Sequence, residues 1–360
     1  MKIFIIAGEA SGDLHGSLLA KELLRLNPNI QLAGWGGEKM KNAGVTIYKD
    51  YRELAFMGFV EVLLNIRTIQ KNFSLIRQQI SDFKPQKVVF IDYPGFNLRL
   101  APWVKSKGIE THYYISPTIW AWKEKRVFTI KKYIDRMYCI LPFEPQWYAK
   151  HQYPAAFVGH PLLEELDLLD NGYQHHKPFI LLAPGSRRQE IKRILPVFLA
   201  LVPKFPQFDF IIAGAPGLIP EDYAPYLQDK RVKLVFNQTT ALMKGASAGC
   251  IASGTATLEA GLRGLPMVVG YKAQSLSYWI AKSFVNLQWI SLVNLILNEE
   301  AVEEFIQDDL VSSDLYLAVH RLLTEEGKNK ALQIQKDLIS ALGGPGASTN
   351  VANAILTFPS

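Results

Sequence analysis

The chain has 360 residues, a length at which about two domains of roughly 100–200 residues each are expected. Hydrophobic residues make up 49% and charged residues 20%, which excludes a disordered chain, and only two cysteines, Cys139 and Cys250, exclude a disulfide scaffold and indicate a reducing compartment. Lys and Arg total 39 against 33 Asp and Glu, and this net charge of +6 permits anionic partners without indicating nucleic acid.

Short apolar runs alternate with longer amphipathic ones in the first half of the chain, which is the pattern of parallel βαβ units. The predicted strands are Lys2–Ala7, Gln31–Trp35, Lys87–Ile91, Glu110–Ile115, Arg136–Ile140 and Ala155–Val158. The predicted helices include Asp13–Leu26 and Phe59–Ile80. No apolar run reaches the ~18–20 residues of a membrane span, and the apolar start is too short for a signal peptide, so we expect a cytoplasmic chain.

The second half repeats this alternation after Asp167–Pro178, a polar stretch that we expect to link two domains. The predicted strands are Phe179–Ala183, Asp209–Ala213, Val232–Val235, Gly249–Ala252 and Met267–Gly270, and the predicted helices are Arg188–Val202, Thr255–Arg263 and Leu276–Phe284. The tail from Asp314 to Leu356 is helical in pattern. We therefore expect an α/β fold of two open sheets facing across a cleft, with ligands at the carboxyl ends of the strands.

The first candidate site is the turn Gly8-Glu9-Ala10-Ser11-Gly12-Asp13, which follows the first predicted strand. Its two glycines permit a tight turn and close approach of a ligand, and its N–H groups suit a phosphate or a sugar hydroxyl. Ser11 or Asp13 is expected to cap the next helix, and Glu9 can orient a hydroxyl. The turn matches neither a dinucleotide-binding motif nor a P-loop, and a capped turn without a ligand explains it equally well.

Asp92 follows the predicted strand Lys87–Ile91 and stands just before Pro94-Gly95. A partly desolvated carboxylate at the end of such a strand can take a proton from an attacking hydroxyl. The alternative is an aspartate that only stabilises its own turn, which is frequent.

Two tryptophans, Trp120 and Trp122, follow Ser116-Pro117 and precede Lys123. Aromatic rings beside a cation can stack on a sugar or contact a phosphate. Packing of the tryptophans in the core or in a lid explains the pattern about as well.

In the second half, two small-residue turns each close a strand and open a helix. The first is Gly185-Ser186-Arg187, where free N–H groups and a guanidinium match a diphosphate. The second is Ser253-Gly254-Thr255, and Glu259, one helical turn further, can accept hydrogen bonds from ribose hydroxyls. Together the turns predict a nucleotide-diphosphate site. No Asp-x-Asp follows a strand and the pair His175-His176 lies in the linker, so no metal ion is implied.

One predicted helix has a long apolar face, with cations beside it. The apolar positions are Phe59, Val60, Val62, Leu63, Ile66, Ile69, Phe73, Ile76 and Ile80. An inward-facing helix of an α/β domain is the default interpretation of such a face. Docking on an anionic membrane surface is the alternative.

Eight short motifs occur in order along most of the chain: Gly8-Glu9-Ala10-Ser11-Gly12-Asp13, Phe56-Met57-Gly58, Asp92-Tyr93-Pro94, Ser116-Pro117 with Trp120-Ala121-Trp122, Pro142-Phe143-Glu144, Val158-Gly159-His160-Pro161, Pro184-Gly185-Ser186-Arg187 and Ser253-Gly254-Thr255-Ala256-Thr257-Leu258-Glu259. Each alone is weak, but the ordered set resembles the lipid-A-disaccharide synthase family. The resemblance implies a GT-B fold of two Rossmann-like, doubly wound domains, with a C-terminal helix that crosses back to the first domain.

The resemblance also implies an activity and its partners. It implies transfer of 2,3-diacylglucosamine from UDP-2,3-diacylglucosamine to the 6-hydroxyl of 2,3-diacylglucosamine 1-phosphate, with inversion, no cofactor and release of UDP. It implies work at the cytoplasmic face of the inner membrane, on an anionic membrane surface. A UDP-sugar 2-epimerase and a membrane-bound nucleotide-sugar-binding protein are the alternatives. The sequence does not decide whether the chain forms a homodimer.

By matching positions, the resemblance implies that Asp92 is the base and that Glu9 is a second catalytic residue, on the acceptor side. The residues implied on the acceptor side are Ser11, Gly12, Met57, Ser116 and Trp120. Those implied at UDP are Gly185, Ser186, Arg187, Ser253, Gly254, Thr255, Glu259 and Asn294. Those implied in membrane docking are Phe59, Val60, Val62, Leu63, Ile66 and Ile69, in a patch that extends to Ile76.

Two departures from the family pattern bear on these roles. Gly95 stands where a second aspartate is common, which concentrates the catalytic expectation on Asp92, and Val293 stands where a proline often precedes the matching asparagine. The domains are predicted as an acceptor-binding, membrane-docking domain over residues 1–166, a UDP-sugar-binding domain over 167–335 and a C-terminal helical segment over 336–360.

Overall fold

Parallel strands and helices alternate along the chain in a computed structural model that describes residues 1–54, 66–164, 166, 172–272 and 288–357. The chain divides into two units. The first contains Met1–Glu165 and Leu342–Ser360, and the second contains Leu166–Ala341. The returning segment therefore begins at residue 342 and not at 336, because residues 336–341 complete a helix of the second unit.

The first unit contains a seven-stranded parallel sheet covered by helices. Its strands are β1 Lys2–Ala7, β2 Gln31–Gly36, β3 Thr46–Asp50, β4 Lys87–Ile91, β5 Glu110–Tyr114, β6 Arg136–Cys139 and β7 Ala155–Phe157. Its described helices are α1 Ala10–Leu26, α2 Glu38–Asn42, α3 Ile66–Phe83, α4 Pro94–Ser106, α5 Arg126–Tyr133 and α6 Glu144–Lys150, with 3-10 turns at Tyr51–Leu54 and Pro161–Leu163. The strand order is β3-β2-β1-β4-β5-β6-β7.

The second unit contains a six-stranded parallel sheet. Its strands are β8 Phe179–Ala183, β9 Asp209–Gly214, β10 Val232–Phe236, β11 Ala248–Ala252, β12 Met267–Tyr271 and β13 Glu304–Ile306. Its described helices are α7 Arg188–Leu199, α8 Thr239–Gly245, α9 Thr255–Gly261, α10 Leu292–Leu297, α11 Ser312–Leu322 and α12 Glu325–Ala341, with 3-10 turns at Val202–Lys204, Pro220–Asp222, Ala224–Tyr226 and Gln307–Asp309. The strand order is β10-β9-β8-β11-β12-β13.

Strand β1 shows why the first sheet is covered on both faces. Phe4 and Ile6 pack in a core that also contains residues of α3, whereas Ile3 and Ile5 pack in a second core beside α1. Each of these side chains is fully buried, and burying one stabilises the fold by about 1.5–3 kcal/mol. A continuous apolar run in a parallel sheet is thus explained by two buried faces.

The last helix, α13 Ala347–Thr357, belongs to the first unit. It follows a turn that contains Gly343, Gly344 and Gly346, all with positive φ, and it packs along α1. The buried Lys87 donates through Nζ to the carbonyl oxygen of Ile355 at 2.6 Å, near the carboxyl end of the helix, where a cation is favoured.

The described part of α3 decides one of the sequence expectations. Ile76 and Ile80 are fully buried, and the ring of Phe73 stacks on that of Phe96 with centroids 4.4 Å apart. The default interpretation of an inward-facing helix therefore holds from Phe73 onward, and the extension of a docking patch to Ile76 is wrong. Phe59, Val60, Val62 and Leu63 lie outside the described residues, as does the predicted helix at 276–284, and the side chains of Ile66 and Ile69 are likewise not described.

The strand orders confirm the predicted α/β class with two Rossmann-like, doubly wound sheets. In each sheet the order reverses beside the first strand, between β1 and β4 and between β8 and β11. Open α/β sheets bind ligands outside the carboxyl ends of the strands at this reversal. The turns that follow these four strands are therefore the candidate ligand-binding positions.

Candidate functional site

The turns after β1 and β4 contact each other at the strand-order reversal of the first unit. Ala7 pairs with Ile91 at the ends of the two strands, so Glu9 and Asp92 follow at the same edge. The ring of Tyr93 lies against Gly8, where an added Cβ atom would be 2.3 Å from it. A glycine is thus required at position 8 by packing of the two turns.

Asp92 is held in an uncommon backbone conformation. Asp92 and Tyr93 have φ values of 42° and 50°, in the left-handed region that costs a non-glycine residue about 1 kcal/mol or more. The carbonyl oxygen of Asp92 accepts hydrogen bonds from Asn97 Nδ2 at 2.7 Å and from Tyr113 Oη at 2.6 Å, and its N–H donates to Tyr114 at 3.0 Å. These bonds hold the backbone of Asp92 in its left-handed conformation.

The surroundings of Asp92 raise the pKa of its carboxyl group to about 6. Burial is the larger cause, and the negative charge of Glu9 is the next. Glu9 itself is exposed at the start of α1. A carboxylate with a pKa near 6 is mostly ionised at neutral pH and still basic enough to accept a proton from a hydroxyl group.

The rest of the first turn differs from the sequence expectation. Glu9 is the N-cap residue of α1 and no side chain caps that helix, so the predicted caps Ser11 and Asp13 are wrong. The buried Asp13 carboxylate instead accepts three backbone N–H bonds from the turn and first residues of α2, at 2.6 to 3.2 Å. Gly12 is buried against Ala7, where a Cβ atom would come within 3.1 Å. Ser11 remains exposed beside Glu9.

Ser116 and Trp120 contact a buried carboxyl group that the sequence interpretation did not single out as a site residue. Glu144, only 1% exposed, accepts from Trp120 Nε1 at 3.2 Å and from the N–H of Leu141 at 3.1 Å. Burial raises the pKa of the Glu144 carboxyl to about 7. Ser116 is 4% exposed and its Oγ lies 2.9 Å from Tyr148 Oη. In this structure Ser116 is a buried support of its turn and does not face solvent.

In the second unit, the N–H groups of the turn after β8 donate to a carboxylate of the helix that follows. Gly185 has φ of 108°, and the Glu190 carboxylate accepts the N–H groups of Ser186 at 2.8 Å and of Arg187 at 3.2 Å. The N–H groups predicted to be free are therefore engaged. Glu190 is in the first turn of α7, three residues after the N-cap Arg187, which is the spacing of a capping box and the signal that could have identified it.

Arg187 is nevertheless available to a ligand. Its side chain is 82% exposed, and its Nη1 atom lies 3.3 Å from Glu190 Oε1. An exposed ion pair of this kind is worth about 1 kcal/mol or less, so an incoming phosphate can replace the carboxylate.

The turn after β11 is more open. Gly254 has φ of 154°, and an added Cβ atom would meet nothing within 4 Å. Ser253 donates through Oγ to the carbonyl oxygen of Ile290 at 2.9 Å. Thr255 is exposed at the start of α9, and Glu259 is half-buried, which raises the pKa of its carboxyl group.

Asn294 does not face this turn. It is fully buried, its Nδ2 donates to Val302 O and to Glu304 Oε1, both at 2.9 Å, and its Oδ1 accepts from Val302 N at 2.9 Å. Both amide hydrogens and the oxygen are thus engaged. The expected direct contact of Asn294 with UDP is not supported by this geometry.

Among the described residues, one group of side chains has the donor types of a metal site away from these turns. Ligand atoms of His175, His176 and Asp209 lie within 4.8 Å of one another. His175 Nε2 is 2.8 Å from Asp209 Oδ2, and Lys233 Nζ is 3.9 Å from the same oxygen. Burial raises the pKa of Asp209, but the histidine and lysine outweigh it and lower that pKa on balance. The neighbouring lysine already compensates the carboxylate and opposes a divalent cation.

One cavity lies apart from the turns. It has a volume of about 330 Å³ and is lined by Leu265, Met267 and Ile334 at the amino-terminal edge of the second sheet, opposite the candidate turns.

Within the described ranges, no helix has both the length and the apolar character that crossing a bilayer requires. Met57, expected on the acceptor side, lies outside the described residues.

Comparisons with known proteins agree with the sequence resemblance. A family model described as lipid-A-disaccharide synthetase matches residues 3–358. A lipid-A-disaccharide synthase of Geobacter sulfurreducens is 36% identical over 370 residues, covering 99% of this chain and 96% of that protein. One of Nitrosococcus oceani is 36% identical over 364 residues, covering 97% and 94%.

Solved structures resemble the whole chain at low sequence identity. A UDP-GlcNAc 2-epimerase from Neisseria meningitidis, bound to UDP-GlcNAc, has a TM-score of 0.71 and 14% identity, with 99% of this chain and 100% of that chain covered. The calicheamicin glycosyltransferase has a TM-score of 0.61 and 17% identity, with 99% of each chain covered. At these identities the likeness shows the fold alone, which glycosyltransferases and epimerases share.

Proposed function

Since the chain belongs to the lipid-A-disaccharide synthase family and is therefore a glycosyltransferase of lipid A biosynthesis, we propose that it transfers 2,3-diacylglucosamine from its UDP donor to the 6-hydroxyl of 2,3-diacylglucosamine 1-phosphate. The product is a β-1,6-linked disaccharide 1-phosphate, and UDP is released. The anomeric centre inverts in a single displacement.

The observation that carries the proposal is the Asp92 carboxylate. It follows β4 at the strand-order reversal, and its pKa is raised to about 6 by burial and by Glu9. A general base acts best when its pKa lies near the working pH. The left-handed turn supports this role, since strained conformations of non-glycine residues concentrate at functional sites.

In the proposed step, Asp92 accepts the proton of the 6-hydroxyl while that oxygen forms a bond to the anomeric carbon of the donor sugar. The bond from this carbon to the diphosphate oxygen breaks, and UDP leaves with the electron pair. Solvent then takes the proton from Asp92 and restores the carboxylate. Exposed beside it, Glu9 accepts a hydrogen bond from the acceptor sugar, and Ser11 lies within the same turn.

UDP is proposed to bind at the two turns of the second unit. Arg187 supplies an exposed guanidinium for the diphosphate, whose charge it offsets as the bond breaks. The open turn at Gly254 and Thr255 supplies N–H donors, and Glu259 is our candidate for the ribose hydroxyls. Glu190 must give up its bonds to the N–H groups of the first turn if these contact the diphosphate.

Both substrates carry acyl chains, so we place the enzyme at the cytoplasmic face of the inner membrane. The apolar sequence Phe59–Ile69 and the nearby Lys71 and Arg77 suit an anionic surface. Replacement of Phe59, Leu63 and Ile66 by Ser should release the protein from anionic vesicles and leave its melting temperature unchanged. A cooperative loss of folding would instead identify these side chains as core.

The test of the proposed reaction is UDP release by the purified chain with UDP-2,3-diacylglucosamine and the diacyl monosaccharide phosphate. We expect release that depends on both substrates and a disaccharide product. An epimerase would change the donor sugar without the second lipid, and a nucleotide-sugar-binding protein would bind the donor and release nothing. Either result would overturn the proposal.

A further inference from the structure

The carboxylate of Glu304 receives three hydrogen bonds inside the second unit. Oε2 accepts from the N–H of Ile290 at 2.8 Å, and Oε1 accepts from the N–H of Ser291 at 2.8 Å and from Asn294 Nδ2 at 2.9 Å. Glu304 is the first residue of β13, which pairs with β12 through Val269. A carboxylate with three donors of this kind holds its partners in one geometry, because bonds to an ionised acceptor are the stronger ones.

The segment that Glu304 holds is connected to the open turn after β11. Ile290 accepts through its carbonyl oxygen from Ser253 Oγ at 2.9 Å. Asn294 is tied to Val302 by two further bonds at 2.9 Å, so both ends of the held segment are fixed to the edge strand region. A continuous series of hydrogen bonds thus runs from Glu304 Oε1 through the Ile290–Ser291 peptide to Ser253 Oγ.

From this series we infer that Glu304 is a positioning residue for the UDP site, a role that rests on the proposed binding of UDP at the Ser253–Thr255 turn. Glu304 touches no substrate in this role. It fixes the Ile290–Ser291 peptide, whose N–H donates to Glu304 Oε1 and whose carbonyl oxygen accepts from Ser253 Oγ. This bond to Ser253 sets the direction of the N–H groups at Gly254 and Thr255. Asn294 acts in the same way, as a donor to Glu304, which gives its buried amide a function in place of direct contact with UDP.

The substitution Glu304→Gln tests the inference with little change of shape. An amide replaces one oxygen by NH₂, which faces N–H donors and cannot accept from them, so the segment at 290–294 shifts. We expect UDP to bind about tenfold more weakly by calorimetry, the scale of one lost hydrogen bond. The matched control is Glu303→Gln, which makes the same charge change at the preceding residue, whose carboxylate is on the surface with Arg321 at 2.7 Å. Its UDP affinity should be that of the wild type.

A double-mutant cycle separates positioning from a general loss of structure. If Glu304 acts through Ser253, the double variant with Glu304→Gln and Ser253→Ala should lose no more UDP affinity than the single variant that loses the most. The KM for the UDP donor should rise with the UDP dissociation constant, while the KM for the acceptor lipid stays unchanged. Additive losses, or equal changes in both KM values, would overturn the inference. If Glu304→Gln does not fold, Ser253→Ala carries the same expectation of weaker UDP binding.

The outcomes also distinguish this inference from the proposed function. Arg187→Ala reports on the proposed UDP site itself, since its exposed guanidinium is independent of Glu304. Weaker UDP binding by Arg187→Ala together with unchanged binding by Glu304→Gln would refute the positioning role alone. Unchanged UDP binding by both variants would refute the proposed UDP site.

Discussion

Neutralisation of Glu9 should move the acid limb of the pH–rate profile to lower pH. The negative charge of Glu9 is the second cause, after burial, of the raised pKa of Asp92. In Glu9→Gln the burial of Asp92 is retained and the neighbouring negative charge is lost, so the pKa of Asp92 falls. The base is then active at a pH where the wild type is already protonated.

The size of the shift follows from the position of Asp92. Its pKa is raised from an ordinary value of 3.8 to about 6, and Glu9 contributes less than burial does. We therefore expect the acid limb of kcat/KM to move from about pH 6 downward by about one pH unit or less. UDP release, followed at saturating acceptor between pH 4.5 and 8, measures it, and normalisation to each variant's plateau removes the loss of rate that Glu9→Gln causes in its own right.

The acceptor phosphate also titrates in this range, and Asp92→Asn provides the control. A limb that belongs to Asp92 disappears from the residual activity of that variant. A limb that persists there, or one that Glu9→Gln moves upward or leaves in place, would refute the argument that Glu9 tunes the base.

Three further predictions concern single side chains. Asp92→Asn should raise the free energy of unfolding at pH 7 by up to about 3 kcal/mol, measured by urea unfolding, because a carboxylate with a raised pKa is ionised there at a cost in stability. This gain should vanish as the pH falls from 6 to below 3.8, and a loss of stability at pH 7 would contradict the prediction. Arg187→Ala should weaken UDP binding by at least ~1.5 kcal/mol by calorimetry, and an unchanged affinity would remove the guanidinium from the site. Glu190→Gln should tighten UDP binding about threefold or more, since a competing carboxylate is gone; no change would mean that the diphosphate does not use the N–H groups of Ser186 and Arg187.

The central strands could be predicted from the sequence, whereas only two of the four edge strands could be. β1, β4 and β8 were predicted with their observed bounds, since each is a continuous apolar run buried on both faces. The edge strands Ala155–Phe157 and Val232–Phe236 are predicted to within one residue, whereas the edge strands Thr46–Asp50 and Glu304–Ile306 are missed. The two missed strands are half-buried, and charged residues interrupt them (Lys49 and Asp50 in one, Glu304 in the other), so no apolar run indicates them.

In the candidate site, local sequence patterns indicate the positions of some residues, whereas the direction of others depends on contacts with residues elsewhere in the chain. The positions of Glu9, Asp92 and Arg187 follow from strand ends, which local pattern indicates. Ser116 and Asn294 point inward because they form hydrogen bonds with Tyr148 and Val302, respectively, and no sequence pattern indicates these partners. Polar residues near a strand end were therefore assigned to ligands when some of them support the turn from behind.

The most direct test of the account compares turnover and UDP binding in one variant. Asp92→Asn keeps the left-handed turn, which asparagine tolerates, and removes only the proton acceptor. UDP release in the presence of both lipids should fall by about 10²-fold or more while the UDP dissociation constant stays at its wild-type value. Turnover within a few fold of the wild type, with UDP binding intact, would contradict the assignment of Asp92 as the base.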